Sequence, residues 1–180
     1  YQGELGWELH VPMSGLLAVY DALWAAGEEH DIANFGSYAL NSMRLEKGFH
    51  GASELTTEVT LPEAGVMAFV KMDKADFIGR DQTQVSLDTP LPWLCVYLEV
   101  AAEGADCVGS ETVYMNGERV GQISSGGYGH TVQKSLAHAF VHPRASTPGT
   151  ELDVHVLAVM RKARVLSEPV YDPNNELPRS

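Results

Sequence analysis

The sequence predicts an α+β chain in two parts: helices with one strand over residues 1–88, then a small antiparallel β structure over residues 89–180. Three observations carry that expectation. In the first part apolar residues recur at three- and four-residue steps, the spacing of a one-sided helix. Near residue 88 the run Asp88-Thr-Pro-Leu-Pro92 places two prolines in five residues, which resists both helix and central strand and marks a boundary. Beyond it come about six short β-rich runs in ~80 residues, the pattern of a barrel or sandwich.

Along the first part, Leu5, Trp7, Leu9 and Val11 alternate with Gly6, Glu8 and His10, which predicts a strand with one buried face. Pro12 ends it. Ser14 is placed to cap a helix on which Leu16, Leu17, Tyr20, Leu23 and Trp24 share a face, closing at Gly27. A second helix is expected from Ser37 to Lys47, stopped by Gly48. Leu61 to Lys74 reads as a turn followed by a strand, and Asp76 to Val85 as a short helix. In the second part the strand runs are 93–100, 112–115, 119–124, 136–141, 152–157 and 162–166. Asn116-Gly117 between two of them is a strong hairpin signal.

Composition narrows the functions. The formal net charge is −12, and residues 1–88 hold 14 acidic and 5 basic groups against 10 and 7 in 89–180. Such a surface repels nucleic acid and anionic membranes, which are bound by neutralising phosphates with Lys and Arg. No apolar run approaches the ~20 residues that cross a bilayer. Cys95 and Cys107 are too few for a four-ligand zinc site or a disulfide scaffold, which fits a reducing, cytosolic or matrix-like compartment. Seven histidines raise the question of a metal, but His138 and His142, four apart, fall on a strand rather than on one helical face. No metal site is expected. Tyr1 is neither an initiator Met nor part of a signal segment, so the chain reads as cut from a longer one.

Candidate chemistry begins at Glu8. On spacing alone it is an ordinary solvent-facing carboxylate. The alternative is a pterin contact, because a carboxylate accepts side-by-side N–H groups as a pair and Gly6 would let a planar ring approach. Arg44 and Glu46, two apart on a helix, do not face each other, and each reads as bound to the neighbouring layer. Ser125-Gly-Gly-Tyr-Gly-His130 lacks the ending of a P-loop and reads as a tight loop between barrel strands.

Taken together, Tyr1-x-Gly-Glu-x-Gly-x-Glu8, Asn41-Ser-Met-Arg-Leu-Glu-Lys-Gly48, Glu54-Leu-Thr-Thr-Glu58, Pro62-Glu-Ala-Gly65, Asp76-Phe-Ile-Gly-Arg80, Asn116-Gly-Glu-Arg-Val-Gly121, Ser125-Gly-Gly-Tyr-Gly129, Lys134-Ser-Leu-Ala137, Pro148-Gly-Thr150 and Pro169-Val-Tyr-Asp-Pro173 resemble the glycine-cleavage T-protein (aminomethyltransferase) family. The resemblance covers nearly the whole chain. Its Arg-Leu-Glu-Lys-Gly, Leu-Thr-Thr-Glu and Asp-Phe-Ile-Gly-Arg segments are similar to the module fused behind flavin-dependent dimethylglycine and sarcosine dehydrogenases.

The resemblance implies that residues 1–88 are the C-terminal part of a folate-binding fold and 89–180 its C-terminal barrel. It implies tetrahydrofolate as cofactor and a small methylated amine as substrate, with FAD confined to an upstream domain and a homo-oligomer possible. Tyr1 and Glu8 match folate-contacting positions of the family; Tyr128 and Arg179 are weaker candidates, the latter for folate's glutamate tail. Leu40 stands where stand-alone T-proteins place a folate-site Arg. The family's catalytic aspartate belongs to a segment upstream of the opening signature, so no catalytic residue is expected in this chain. The rival readings are a stand-alone T-protein or a related folate-dependent demethylase, and a folate-binding regulatory relative without activity.

Overall fold

The computed structural model describes residues 1–180. Its second part is a closed antiparallel barrel of β1 (Leu94–Val100), β2 (Thr112–Met115), β3 (Glu118–Gly129), β4 (Lys134–Val141), β5 (Glu151–Val156) and β6 (Val159–Val165), in the order β1-β4-β3-β2-β5-β6. Alternation builds it. On β1, Val96, Leu98 and Val100 point inward, joined by Val120, Ile123, Ala137, Ala139, Val141, Val154 and Val165 in one apolar core. Asn116 and Gly117 turn β2 into β3 with both φ angles positive, 53° and 82°, the geometry that Asn-Gly favours.

The first part carries four helices, α1 (Leu16–Gly27), α2 (Ser37–Glu46), α3 (Leu61–Ala64) and α4 (Arg80–Asp88). Of these, α3 packs on β1 with Pro62 and Ala64 buried, and α2 docks most extensively on the barrel. Its Asn41, Ser42, Leu45 and Glu46 face β3, where Ser42 Oγ donates to the Tyr128 carbonyl (2.8 Å) and Asn41 Nδ2 to that of Gly126 (3.4 Å). Below the helix, Tyr97 Oη donates to the Leu45 carbonyl (2.6 Å). Glu46 reaches further, accepting from the Thr131 and Val132 amides at 2.6 and 3.2 Å.

This docking revises the glycine-rich segment. Residues 125–129 are the end of β3, not a loop. Glycine is needed there because neighbours press on the strand. A Cβ on Gly126 would lie 2.6 Å from the Cys107 carbonyl oxygen, and one on Gly129 would lie 2.8 Å from Glu46 Cγ.

Three other expectations are overturned. Residues 4–11 form no strand, because no neighbouring strand offers them a ladder, and Trp7 is 87% exposed. Ser14 caps nothing; a 3₁₀ turn, Met13–Gly15, leads into α1, whose apolar positions are not buried. Residues 61–74 contain no strand either. Thr60 and Glu63 bond reciprocally as a capping box and start α3, which Gly65 ends at φ 74°; a 3₁₀ turn, Met67–Phe69, follows. The helix expected at 76–85 exists but starts at Arg80, after Gly79.

A polar clasp joins the extremes of the chain. Lys47, 1% exposed, donates to the Asp172 carbonyl (2.7 Å) and carboxylate (3.1 Å), Gly3 lies against its aliphatic stem, and Tyr171 Oη donates to Glu4 (2.5 Å).

Candidate functional site

Two clefts flank the opening segment. One, about 250 Å³, is lined by Tyr1, Ser37, Leu40, Asn41, Arg44 and the loop after α2 at Gly51 and Ala52. The other, about 460 Å³, runs along Leu5, Gly6 and Trp7 to Phe35 and Met43. From α2, Ser37, Leu40, Asn41 and Arg44 line the first cleft and Met43 the second. Tyr1 rests on Phe49, ring centroids 5.4 Å apart, and Leu40 leaves the first cleft without the cation that an Arg would supply there.

The sequence candidates fall in different places. Tyr1 lines the first cleft, whereas Glu8, Tyr128 and Arg179 line neither. The Glu8 carboxylate is free in solvent, with the His10 ring 3.9 Å away. Tyr128 is half-exposed on β3, edge-on to His130 at 5.1 Å. Arg179 donates to the Asn174 carbonyl within the C-terminal turn.

Behind the first cleft lies a buried polar cluster that sequence reasoning missed. The Arg44 guanidinium is held by Asn41 Oδ1 (2.8 and 3.0 Å), by the Phe49 carbonyl (3.2 Å) and by Glu54 at 3.6 Å. Burial lowers its pKa from the ordinary arginine range, opposed by the Glu54 charge. Glu54 is 0% exposed and accepts from the Gly51 amide (2.6 Å) and from Ser124 Oγ (2.5 Å). Removal from water pushes its carboxyl up, but these bonds outweigh that and hold it below the ordinary value. Arg44 and Glu46 thus serve opposite layers: Arg44 fastens the loop after α2, and Glu46 fastens the barrel.

His50 and His138 stack beside this pair, centroids 5.0 Å apart. His138 comes from β4 and is 1% exposed, with no hydrogen-bond partner on either ring nitrogen. Burial drives its pKa down to about 4, so the ring is neutral near pH 7. The sequence argument against a metal compared histidines close in the chain. The fold instead joins positions from a loop, β1 and β4. His142 is elsewhere, its Nδ1 accepting from the Arg144 amide.

Comparison with known proteins bears on what this arrangement is. The family models for the GCVT N-terminal domain and for the glycine cleavage T-protein C-terminal barrel domain match residues 1–74 and 95–172. The chain belongs to the glycine-cleavage T-protein family. Mitochondrial dimethylglycine dehydrogenase of Homo sapiens is 40% identical over 172 residues, covering 94% of this chain and 20% of that protein. Mitochondrial sarcosine dehydrogenase of Mus musculus is 31% identical over 98% of this chain and 20% of its own length. The aminomethyltransferase of Halalkalibacterium halodurans is 32% identical, over 97% of this chain and 48% of its own length. The chain therefore spans about a fifth of the dehydrogenases and about half of the aminomethyltransferase. A crystal structure of aminomethyltransferase T from Bartonella henselae superposes with a TM-score of 0.82 over 91% of this chain and 45% of that one, at 23% identity, and shares the fold. No helix is long and apolar enough to cross a membrane.

Proposed function

We propose that the chain forms one wall of a tetrahydrofolate site in an aminomethyltransferase module. On this reading the parent protein passes a one-carbon unit to tetrahydrofolate from a methylated amine of the dimethylglycine or sarcosine type. The observation that supports it is the pair of clefts along residues 1–7, in a chain of this family.

The residues suit a pterin. Glu8 has no hydrogen bond within the chain, so its carboxylate is available for a bidentate pair with an N–H and an exocyclic amino group. A Cβ on Gly6 would meet only the Glu4 carbonyl oxygen, at 4.0 Å, which leaves the backbone open to a flat ring. Tyr1 offers an aromatic surface in the first cleft. When bound, tetrahydrofolate supplies the nucleophilic amine. The chain's own task is to bind and orient that ligand and to keep Arg44 and Glu54 neutralising each other behind the wall. The acid that manages the proton and any flavin domain are assigned to other parts of the parent, so the chain alone binds without turnover. The mitochondrial matrix is the proposed compartment for a eukaryotic parent, in keeping with its mitochondrial relatives.

Calorimetric titration of tetrahydrofolate into wild type and Glu8→Gln tests the assignment. Loss of a charge-assisted pair worth ~1.5–3 kcal/mol predicts affinity weaker by roughly 10- to 150-fold. Equal affinities would remove Glu8 from the site.

A further inference from the structure

We propose that His50, Cys95 and His138 form a binding site for a thiophilic divalent cation, zinc foremost, between the outer wall of the barrel and the loop that follows α2. Cys95 and Tyr97 share the outer face of β1, since Val96 and Leu98 between and beside them point into the core. On β4, Ala139 faces inward, so His138 and Phe140 face outward, and the register sets Cys95 opposite Phe140 and Tyr97 opposite His138. Cys95 and His138 are thus diagonal neighbours on one face of an antiparallel pair, near enough for long side chains to meet. The loop brings His50 over them, its ring stacked on His138.

The three donor atoms lie within 4.8 Å of one another. Zinc takes nitrogen at ~2.0–2.1 Å and sulfur at ~2.3 Å in a tetrahedron, so neighbouring ligands stand roughly 3.5 Å apart. Closing the site from the present spacing takes shifts of about 1 Å, within reach of χ rotations on a loop residue and a cysteine. Two His and one Cys leave the fourth position for water or another small ligand.

A second observation is independent of that spacing. His138 is buried with both nitrogens unpartnered. Leaving a buried polar atom without a partner is costly, and a cation on one nitrogen removes that penalty. Ligating imidazoles commonly give their other N–H to a carboxylate, and Glu54 is close enough for its charge to act on both rings. Coordination requires Cys95 as thiolate, so binding releases one proton from Sγ to solvent and forms one metal–sulfur bond. Zinc, thiolate, Glu54 and Arg44 together carry one net positive charge, which an anionic ligand such as hydroxide in the fourth position would balance, and Arg44 keeps its bonds to Asn41 and Phe49.

The test needs no turnover and does not depend on the folate reading. The 180-residue chain is stripped with a chelator and titrated with cobalt(II) and zinc(II), the latter in competition with a chromophoric chelator. The expected result is one equivalent of metal and, with cobalt, intense tetrahedral d–d bands plus a thiolate-to-metal charge-transfer band. Cys107→Ala should keep all of these. Cys95→Ser should lose the charge-transfer band, and His50→Gln, on a half-buried loop position, should weaken zinc at least tenfold. Absence of stoichiometric binding, or a charge-transfer band that survives Cys95→Ser or vanishes with Cys107→Ala, overturns the site. Should Cys95→Ser fail to fold, the wild-type and Cys107→Ala spectra decide it, because the chain has only these two cysteines.

Discussion

Replacing Glu46 separates a charge-bearing bridge from mere contact between the two parts of the chain. The carboxylate is 2% exposed and accepts from two successive amides of the β3–β4 turn, Thr131 at 2.6 Å and Val132 at 3.2 Å. Glu46→Gln keeps an oxygen for both amides but gives up the charge. Hydrogen bonds to charged groups contribute about 1.5–3 kcal/mol net against ~0.5–1.5 for neutral ones, and the longer bond counts for less, so the expected loss is about 1–2 kcal/mol. Glu46→Ala removes the acceptor and the methylenes that lie against Gly129. Two unpaired amides would cost ~2–6 kcal/mol if fully dry, but Thr131 is exposed and recruits water, which brings the expectation to about 2–4 kcal/mol. Urea unfolding followed by tryptophan fluorescence and far-ultraviolet circular dichroism measures both variants. A Glu46→Ala loss below 1 kcal/mol, or equal losses for Gln and Ala, would refute a charge-assisted bridge.

Further outcomes follow from other parts of the structure. Gly126→Ala forces a Cβ to within 2.6 Å of the Cys107 backbone carbonyl and should lower stability by about 1–3 kcal/mol in the same assay, whereas Gly104→Ala, with nothing within 4 Å, should report only its positive φ. Asp172 has its carboxyl pushed up by removal from water, but bonds from the Glu176 amide, Lys47 and the Leu177 amide outweigh this and hold it below the ordinary 3.8. A depressed carboxyl stabilises the fold above its unfolded pKa and loses that contribution as pH falls through the folded value, so acid titration of Asp172→Asn should show a shallower decline below pH 3.8 than wild type. Thr60→Ala removes the hydroxyl that accepts from the Glu63 amide and should cost about 1 kcal/mol, read as faster amide exchange over Leu61–Ala64.

The barrel was legible because its information is local. Apart from β3, whose register shifts between Ile123 and Ser125, the strands alternate inward and outward residues, and Asn116-Gly117 specifies its turn without help from elsewhere. The glycine-rich run reads as a loop from sequence because the neighbours that require its glycines are distant: Gly127 and Gly129 press on α2, more than 80 residues away, and Gly126 on the Cys107 backbone. Residues 4–11 alternate as a strand does, yet alternation sets only which side chains share a face; a ladder also needs a neighbour. Thr60 and Glu63 were a readable capping pair, overshadowed by the apolar stretch after them. At the candidate site, resemblance alone names Tyr1 as a folate contact, and the fold puts its side chain on the wall of the first cleft. The cluster of Arg44, His50, Glu54, Cys95, Ser124 and His138 could not, because it comes together only when the barrel closes and the loop after α2 folds back across β1 and β4.

Closure of the barrel also determines how copies of this chain would attract one another. With every strand flanked on both sides, no free backbone ladder is available for strand addition. Attraction is left to exposed apolar side chains, most of them in the first part, such as Trp7, Tyr38, Phe69 and Ile78, with Val108 and Leu157 in the second. Such contacts are driven by release of water, so they strengthen on warming from the cold and with sulfate or phosphate salts. Self-association of this chain should therefore be dissolved by cooling and dilution, and should show no growth of cross-β structure.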